Sequence, residues 1–144
     1  MIPLVHFEIH AEDPEKVAAF YRAVFGWGIK KWVTPDTDMS YWLLTTAPPK
    51  TPNAINGGLT KRIGPRPKEG QPMNGYVCIM SVDNVDNYVR KVEGAGGKVV
   101  VPRMDVPEVG SLVYCADPDG NLFGMIKPIM PVKKKSKKKI VSRK

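Results

Sequence analysis

Apolar residues recur at helical spacing in two segments of the chain. In the first, Asp13 can cap a helix and Pro14 suits its first position. The apolar residues that follow are Val17, Phe20, Tyr21, Val24 and Phe25, before Gly26 and Gly28 end the run. The second begins near Asp83-Asn84-Val85 and closes at Gly94, Gly96 and Gly97. The segments AFYRAVFG (19–26) and NYVRKVEG (87–94) align at an offset of 68 residues, which indicates an internal repeat.

Each predicted helix is flanked by strand-like runs in the same order. VHFEI precedes the first helix and YVCIMSV the second, and three more runs follow each helix. We place these runs at 29–33, 41–46 and 57–62, and at 98–106, 111–116 and 122–127. The repeat predicts an α+β fold of two βαβββ modules, whose curved, mostly antiparallel sheets surround a shared cavity. Residues 1–63 form the first module, the Gly- and Pro-rich residues 64–75 a linker, and residues 76–131 the second module.

Positive charge is concentrated at the end of the chain. Residues 132–144 hold eight Lys or Arg and no acid, and subtracting them from the total of 22 leaves 14 basic against 14 acidic residues. A block of like charges predicts a disordered tail, able to make weak, salt-dependent contact with nucleic acid. Because neither a basic and apolar leader nor a membrane span is visible, we expect a cytoplasmic protein with no membrane partner.

The stretch VHFEIH raises the question of chemistry. On a strand, His6, Glu8 and His10 leave one face and Val5, Phe7 and Ile9 the other. The polar triplet is open to three interpretations: a metal site, a pocket wall, or a solvated strand face. Attachment points spread over roughly 13 Å, at about 3.3 Å per residue, allow only an adjacent pair to share one ion.

Taken together, FEIHAEDPEKVAAFYRAVFGW, VDNVDNYVRKVEGAGGKVV and YCADPDGNLFGMI resemble the vicinal oxygen chelate superfamily of glyoxalase I, extradiol dioxygenases and bleomycin-resistance proteins. The resemblance covers nearly all of residues 4–128. It implies paired βαβββ modules in proteins that commonly form dimers. It also implies a divalent metal bound by side chains at four positions. In this chain those positions fall on His6, Gly58, Val77 and Gly124, and only His6 can bind a metal. We therefore expect no metal and no other cofactor, and no metal-dependent catalysis.

The hypothesis for function is a glyoxalase-like protein that binds a small molecule in the cavity between modules, as a homodimer. Stacking on Trp42 and the carboxylate of Glu8 would hold a partly aromatic or cationic ligand. One alternative is a small-molecule lyase, isomerase or dioxygenase with a non-standard metal site or with His6 and Glu8 as an acid–base pair. Another is an interaction protein that acts through the basic tail. The expected cavity-lining residues are His6, Glu8, Trp42, Gly58, Val77, Ile79 and Gly124.

Overall fold

A computed structural model describes residues 1, 4–33, 40–72 and 75–129. Two helices and eight strands follow one another in the order that the repeat predicts. The first half contains β1 (Phe7–Ala11), α1 (Pro14–Phe25), β2 (Gly28–Trp32), β3 (Tyr41–Thr45) and β4 (Gly57–Lys61). The second half contains β5 (Cys78–Ser81), α2 (Val85–Gly94), β6 (Lys98–Val106), β7 (Gly110–Ala116) and β8 (Leu122–Pro128).

Each half forms its own four-stranded sheet. The strand order is β1-β4-β3-β2 in the first sheet and β5-β8-β7-β6 in the second. In both sheets the first strand pairs in parallel with the last one, and the other two pairings are antiparallel. The α+β class and the two βαβββ modules are therefore confirmed. The predicted module and linker boundaries stay predictions, and the basic tail lies outside the described residues.

The helix ends follow the residues that predicted them. The Asp13 side chain accepts a hydrogen bond from the backbone N–H of Lys16, and Pro14 occupies the first turn, where it sacrifices no internal bond. Gly26 closes α1 with a φ of 69°, a left-handed conformation that costs glycine little. Asn84 caps α2 in the same way, by accepting from the N–H of Asn87.

One core joins the halves, with the helix-bearing face of each sheet turned toward it. Phe20 and Tyr21 of α1 contact Phe123 of β8 at ring-centroid distances of 5.9 and 6.1 Å. Phe25 of α1 stacks on Tyr88 of α2 at 6.1 Å. Buried residues from both sheets complete the cluster: Leu44, Leu59, Val113, Cys115 and Met125. Aromatic packing between the helices and β8 thus fixes one half against the other.

The turn before β8 adds a polar clamp between the halves. Arg62, just after β4, donates through Nη2 to Asp119 Oδ2 at 2.7 Å, to Asn121 Oδ1 at 2.9 Å and to the carbonyl of His10 at 2.8 Å. Tyr21 donates its hydroxyl to Asp117 at 3.1 Å. Burial raises the pKa of both Asp117 and Tyr21. The DPDGN turn therefore connects the two halves as well as reversing the chain.

The face of each sheet opposite its helix remains open. In the first sheet this open face carries His6, Glu8, Tyr41, Leu43 and Trp32, of which only Tyr41 is partly buried. The open face of the second sheet is mostly apolar, since it carries Ser81 together with Ile79, Val101, Met104, Leu112, Tyr114 and Ile126. Ile79 is 49% exposed. Among the described residues, no strand of one sheet lies beside a strand of the other. One chain alone therefore leaves the two walls of the predicted cavity apart.

Candidate functional site

Strand register brings four polar side chains together on the open face of the first sheet. Glu8 of β1 lies directly beside Gly58 of β4, and Tyr41 of β3 pairs with Thr60, two residues further along β4. Because Gly58 has no side chain, the Tyr41 ring can cross β4 and reach β1. A Cβ added to Gly58 would overlap the Tyr41 hydroxyl and ring carbons, which are the three atoms nearest to it.

Hydrogen bonds connect these side chains in a row. His6 Nε2 lies 2.8 Å from Tyr41 Oη, and Tyr41 donates its hydroxyl to Glu8 Oε2 at 3.1 Å. The other carboxylate oxygen of Glu8 lies 3.4 Å from His10 Nε2. We call His6, Tyr41, Glu8 and His10 the polar row. Burial, followed by the hydrogen bond and the negative charge of Glu8, raises the pKa of Tyr41 to about 12. Tyr41 thus stays protonated across the physiological pH range.

Tyr41 is the site residue that sequence reasoning did not select. Alternation along β3 allowed either Tyr41 and Leu43 or Trp42 and Leu44 to face the cavity, and the expectation fell on Trp42. In the structure Trp42 is only 5% exposed and packs toward α1, where its Nε1 donates to Glu15 Oε1 at 2.8 Å. The aromatic rings on the open face of the first sheet are those of Tyr41 and Trp32, which meet edge to face at 6.4 Å. The pairing of Leu43 with Gly58 places Tyr41 and Leu43 on the open face, and this register cannot be read from the sequence of β3 alone.

The remaining expected site residues lie on the second sheet. Ile79 of β5 pairs with Gly124 of β8, and Tyr114 of β7 pairs with Gly124 from the other side. A Cβ on Gly124 would stand 3.1 Å from Ile79 and 3.4 Å from Tyr114, so these two side chains lean over the glycine. Val77 precedes β5 and is half-buried. The second wall therefore offers hydrocarbon and one aromatic ring.

The residues at the four positions where the resemblance implies metal ligands do not fit a divalent metal. Gly58, Val77 and Gly124 offer no side-chain donor, and the one imidazole, His6, already shares its Nε2 with Tyr41. The space beside Gly58 where a ligand side chain would stand is filled by Tyr41. Within residues 1, 4–33, 40–72 and 75–129, no group of three His, Cys, Asp or Glu side chains is arranged to hold an ion. A divalent ion needs four to six donors, so the chemistry of this face is that of hydrogen bonding.

A groove of about 610 Å³ lies elsewhere, between the start of α2 and the ends of β6 and β8. Its wall includes Asn84, Asp86 and Arg103, and it does not include His6, Glu8 or Tyr41. The polar row thus lies on an open surface of the single chain, away from this groove. No helix in the described part of the chain is long and apolar enough to cross a membrane.

Comparison with known proteins finds relatives that share about 30% sequence identity with most of this chain. "Putative glyoxylase CFP32" of Mycobacterium bovis is 30% identical over 123 residues, and "Anthracycline biosynthesis protein DnrV" of Streptomyces peucetius is 28% identical over 124. These matches cover 82% and 83% of this chain but only 42% and 44% of the relatives, so the chain spans less than half of their length.

Two solved structures share the fold. The fosfomycin resistance protein FosX of Listeria monocytogenes, in complex with Mn(II) and 1S,2S-dihydroxypropylphosphonic acid, superposes with a TM-score of 0.67 at 17% identity, over 90% of this chain and 95% of FosX. Glyoxalase I of Zea mays gives a TM-score of 0.67 at 22% identity, over 87% of this chain and 46% of that protein. A family model matches residues 4–125. The chain therefore belongs to the Glyoxalase/Bleomycin resistance protein/Dioxygenase superfamily.

Proposed function

We propose that this chain binds a small molecule without a metal, using the polar row as one wall of its cavity. The observation that carries the proposal is the hydrogen-bonded contact of His6, Tyr41 and Glu8, which lies beside two of the positions where the resemblance implies metal ligands, His6 and Gly58. The Tyr41 side chain fills the space that a side chain at residue 58 would occupy. This face is therefore suited to recognising an organic molecule through hydrogen bonds.

The cavity itself is proposed to form in a homodimer. The polar open face of the first sheet and the apolar open face of the second point away from the common core, so they do not meet within one chain. A two-fold dimer would place the first sheet of one protomer against the second sheet of its partner, twice. Exposed apolar side chains support this arrangement, since Trp32, Leu43 and Ile79 are 53%, 44% and 49% exposed.

The two walls define the ligand class. One wall presents the carboxylate of Glu8 and the rings of Tyr41 and Trp32, whereas the other presents Ile79, Tyr114 and neighbouring aliphatic side chains. A flat, mostly apolar body with one cationic or hydrogen-bond-donating group complements both walls. Because one relative is named for anthracycline biosynthesis, an anthracycline belongs in the first ligand panel.

A second candidate is a metal-free lyase or isomerase. His6 and Glu8 do not contact each other directly but share the Tyr41 hydroxyl at 2.8 and 3.1 Å. A histidine, a phenol and a carboxylate in series can take a proton from a substrate at one end and return it at the other. Mass spectrometry of the bound compound separates the candidates, because a binding protein returns its ligand unchanged.

The deciding experiment measures metal per chain, oligomeric state and ligand-induced stabilisation on protein purified without chelator or affinity tag. We expect no metal in the wild type or in His6→Ala, a dimer by light scattering, and a raised unfolding midpoint with at least one panel compound. His6→Ala should reduce that shift. Near-stoichiometric metal that disappears in His6→Ala would contradict the proposal and favour a metal-dependent lyase or dioxygenase.

A further inference from the structure

Tyr41 combines two relations that are independent of each other. Its ring occupies the space that a side chain at residue 58 would need, and its hydroxyl stands between a histidine and a carboxylate. The ring therefore determines which side chains fit at residue 58. The hydroxyl determines which atoms donate and which accept along the hydrogen bonds from His6 to Glu8.

We infer that Tyr41 occupies the volume of a side chain at residue 58 and acts as a positioning residue that fixes the tautomer of His6. A phenol has one proton, and an ionised carboxylate can only accept. Because Tyr41 donates that proton to Glu8, its oxygen can only accept from His6. The hydrogen of a neutral His6 ring therefore lies on Nε2, which leaves Nδ1 as a bare acceptor.

The consequence for recognition rests on the proposed function. His6 Nδ1 has no hydrogen-bond partner among the residues that the structure describes, and the side chain is exposed. A ligand group that reaches it must donate a hydrogen bond, as a hydroxyl, an amide N–H or an ammonium does. Ethers and carboxylates, which only accept, would face a lone pair and be disfavoured.

The tautomer is measurable on ligand-free protein. The chain has two histidines, so His10→Gln assigns the His6 resonances in a ¹⁵N-labelled sample. At about pH 8.5, where an ordinary imidazole is neutral, we expect the Nε2–H form to dominate in the wild type and a mixture of forms in Tyr41→Phe. Trp32→Phe, which alters the same face without touching the hydrogen bonds, is the matched control and should keep the wild-type tautomer. A dominant Nδ1–H form in the wild type, or an unchanged tautomer in Tyr41→Phe, would overturn the inference.

The shared volume is tested by a pair of glycine substitutions. Gly58→Ala should lower the unfolding midpoint clearly, and much less when Tyr41 is already Ala, because the atoms that the new Cβ would overlap belong to Tyr41. Gly28→Ala in the same sheet is the control, since its Cβ would meet Thr45 at an ordinary 3.5 Å. Equal losses from Gly58→Ala with and without Tyr41 would show that the two residues do not compete for one volume.

A matched pair of probes tests the recognition step. 2-Naphthylmethanol carries a hydroxyl proton, and its methyl ether does not. The alcohol should bind several-fold more tightly to the wild type, with this preference lost in Tyr41→Phe. Equal affinities in the wild type would contradict the donor requirement. If neither compound binds, the proposed cavity is contradicted, whereas the tautomer measurement still decides the role of Tyr41.

Discussion

The clamp between Arg62 and Asp119 gives the sharpest stability prediction. The two side chains are 14% and 6% exposed, and the distance from Nη2 to Oδ2 is 2.7 Å. Asp119 also accepts from the backbone N–H of Glu12 at 3.1 Å. We consider Asp119→Leu, Arg62→Met and the double variant, which replace a largely buried ion pair by apolar side chains.

Removing one partner of a buried pair costs about 3–5 kcal/mol because the other charge is left uncompensated. After Asp119→Leu, Arg62 retains the His10 carbonyl and Asn121 as acceptors, which places the loss near the lower end, at about 3 kcal/mol. Arg62→Met leaves Asp119 without its cation and should cost a similar amount. In the double variant no charge is stranded, and the buried Nε of Arg62, which has no hydrogen-bond partner among the described residues, is removed as well. Its loss should therefore fall short of the sum of the single losses by about 2 kcal/mol.

The assay is urea unfolding followed by far-ultraviolet circular dichroism at one fixed protein concentration, because the proposed dimer would make stability depend on concentration. Glu69→Ala is the control. It breaks a pair of the same 2.7 Å length with Lys98, on side chains that are 87% and 59% exposed, and should leave the midpoint unchanged. Additive losses in the double variant, or an Asp119→Leu effect as small as that of Glu69→Ala, would refute the argument.

Three further outcomes are expected, two from the structure and one from the sequence of the basic tail. Trp42→Phe should lower the free energy of unfolding by about 1–3 kcal/mol in urea, because it removes buried volume and the hydrogen bond to Glu15. Trp32→Phe, at an exposed position, should leave that free energy unchanged and should reduce the fluorescence change on ligand binding. Tyr41 should ionise near pH 12 in an ultraviolet titration. Since its folded pKa lies above the ordinary value of 10, its contribution to stability is complete below about pH 10 and is lost as pH rises toward 12, a loss absent in Tyr41→Phe. Deleting residues 132–144 should leave the ligand-induced midpoint shift intact while abolishing salt-dependent retention on DNA; loss of the shift would favour an interaction protein acting through the tail.

Local chemistry explains why the elements could be predicted from the sequence. Asp13, Pro14 and Gly26 place the ends of α1 because each has a preference that acts within one turn. The internal match at an offset of 68 residues predicts that the second module repeats the element order of the first. The predicted strand at residues 98–106 is confirmed as β6. Elsewhere the observed and predicted strands differ slightly at their ends. The sequence predicts the first strand over VHFEI (5–9), but the strand spans Phe7–Ala11, because pairing with β4 begins at Phe7.

The sequence by itself predicted the two modules, because local spacing and the internal repeat suffice for them, and its motifs resemble the family that the match over residues 4–125 shows. Tertiary structure decided which face of β3 meets the polar row, since parity depends on a register shared with β4 and not on β3 alone. It also placed the Tyr41 hydroxyl over Gly58, a contact between residues 17 positions apart that only the folded sheet brings together. Finally, packing of α1 against α2 and β8 turned both open faces outward, because burying those aromatic rings leaves the sheets on opposite sides of one core.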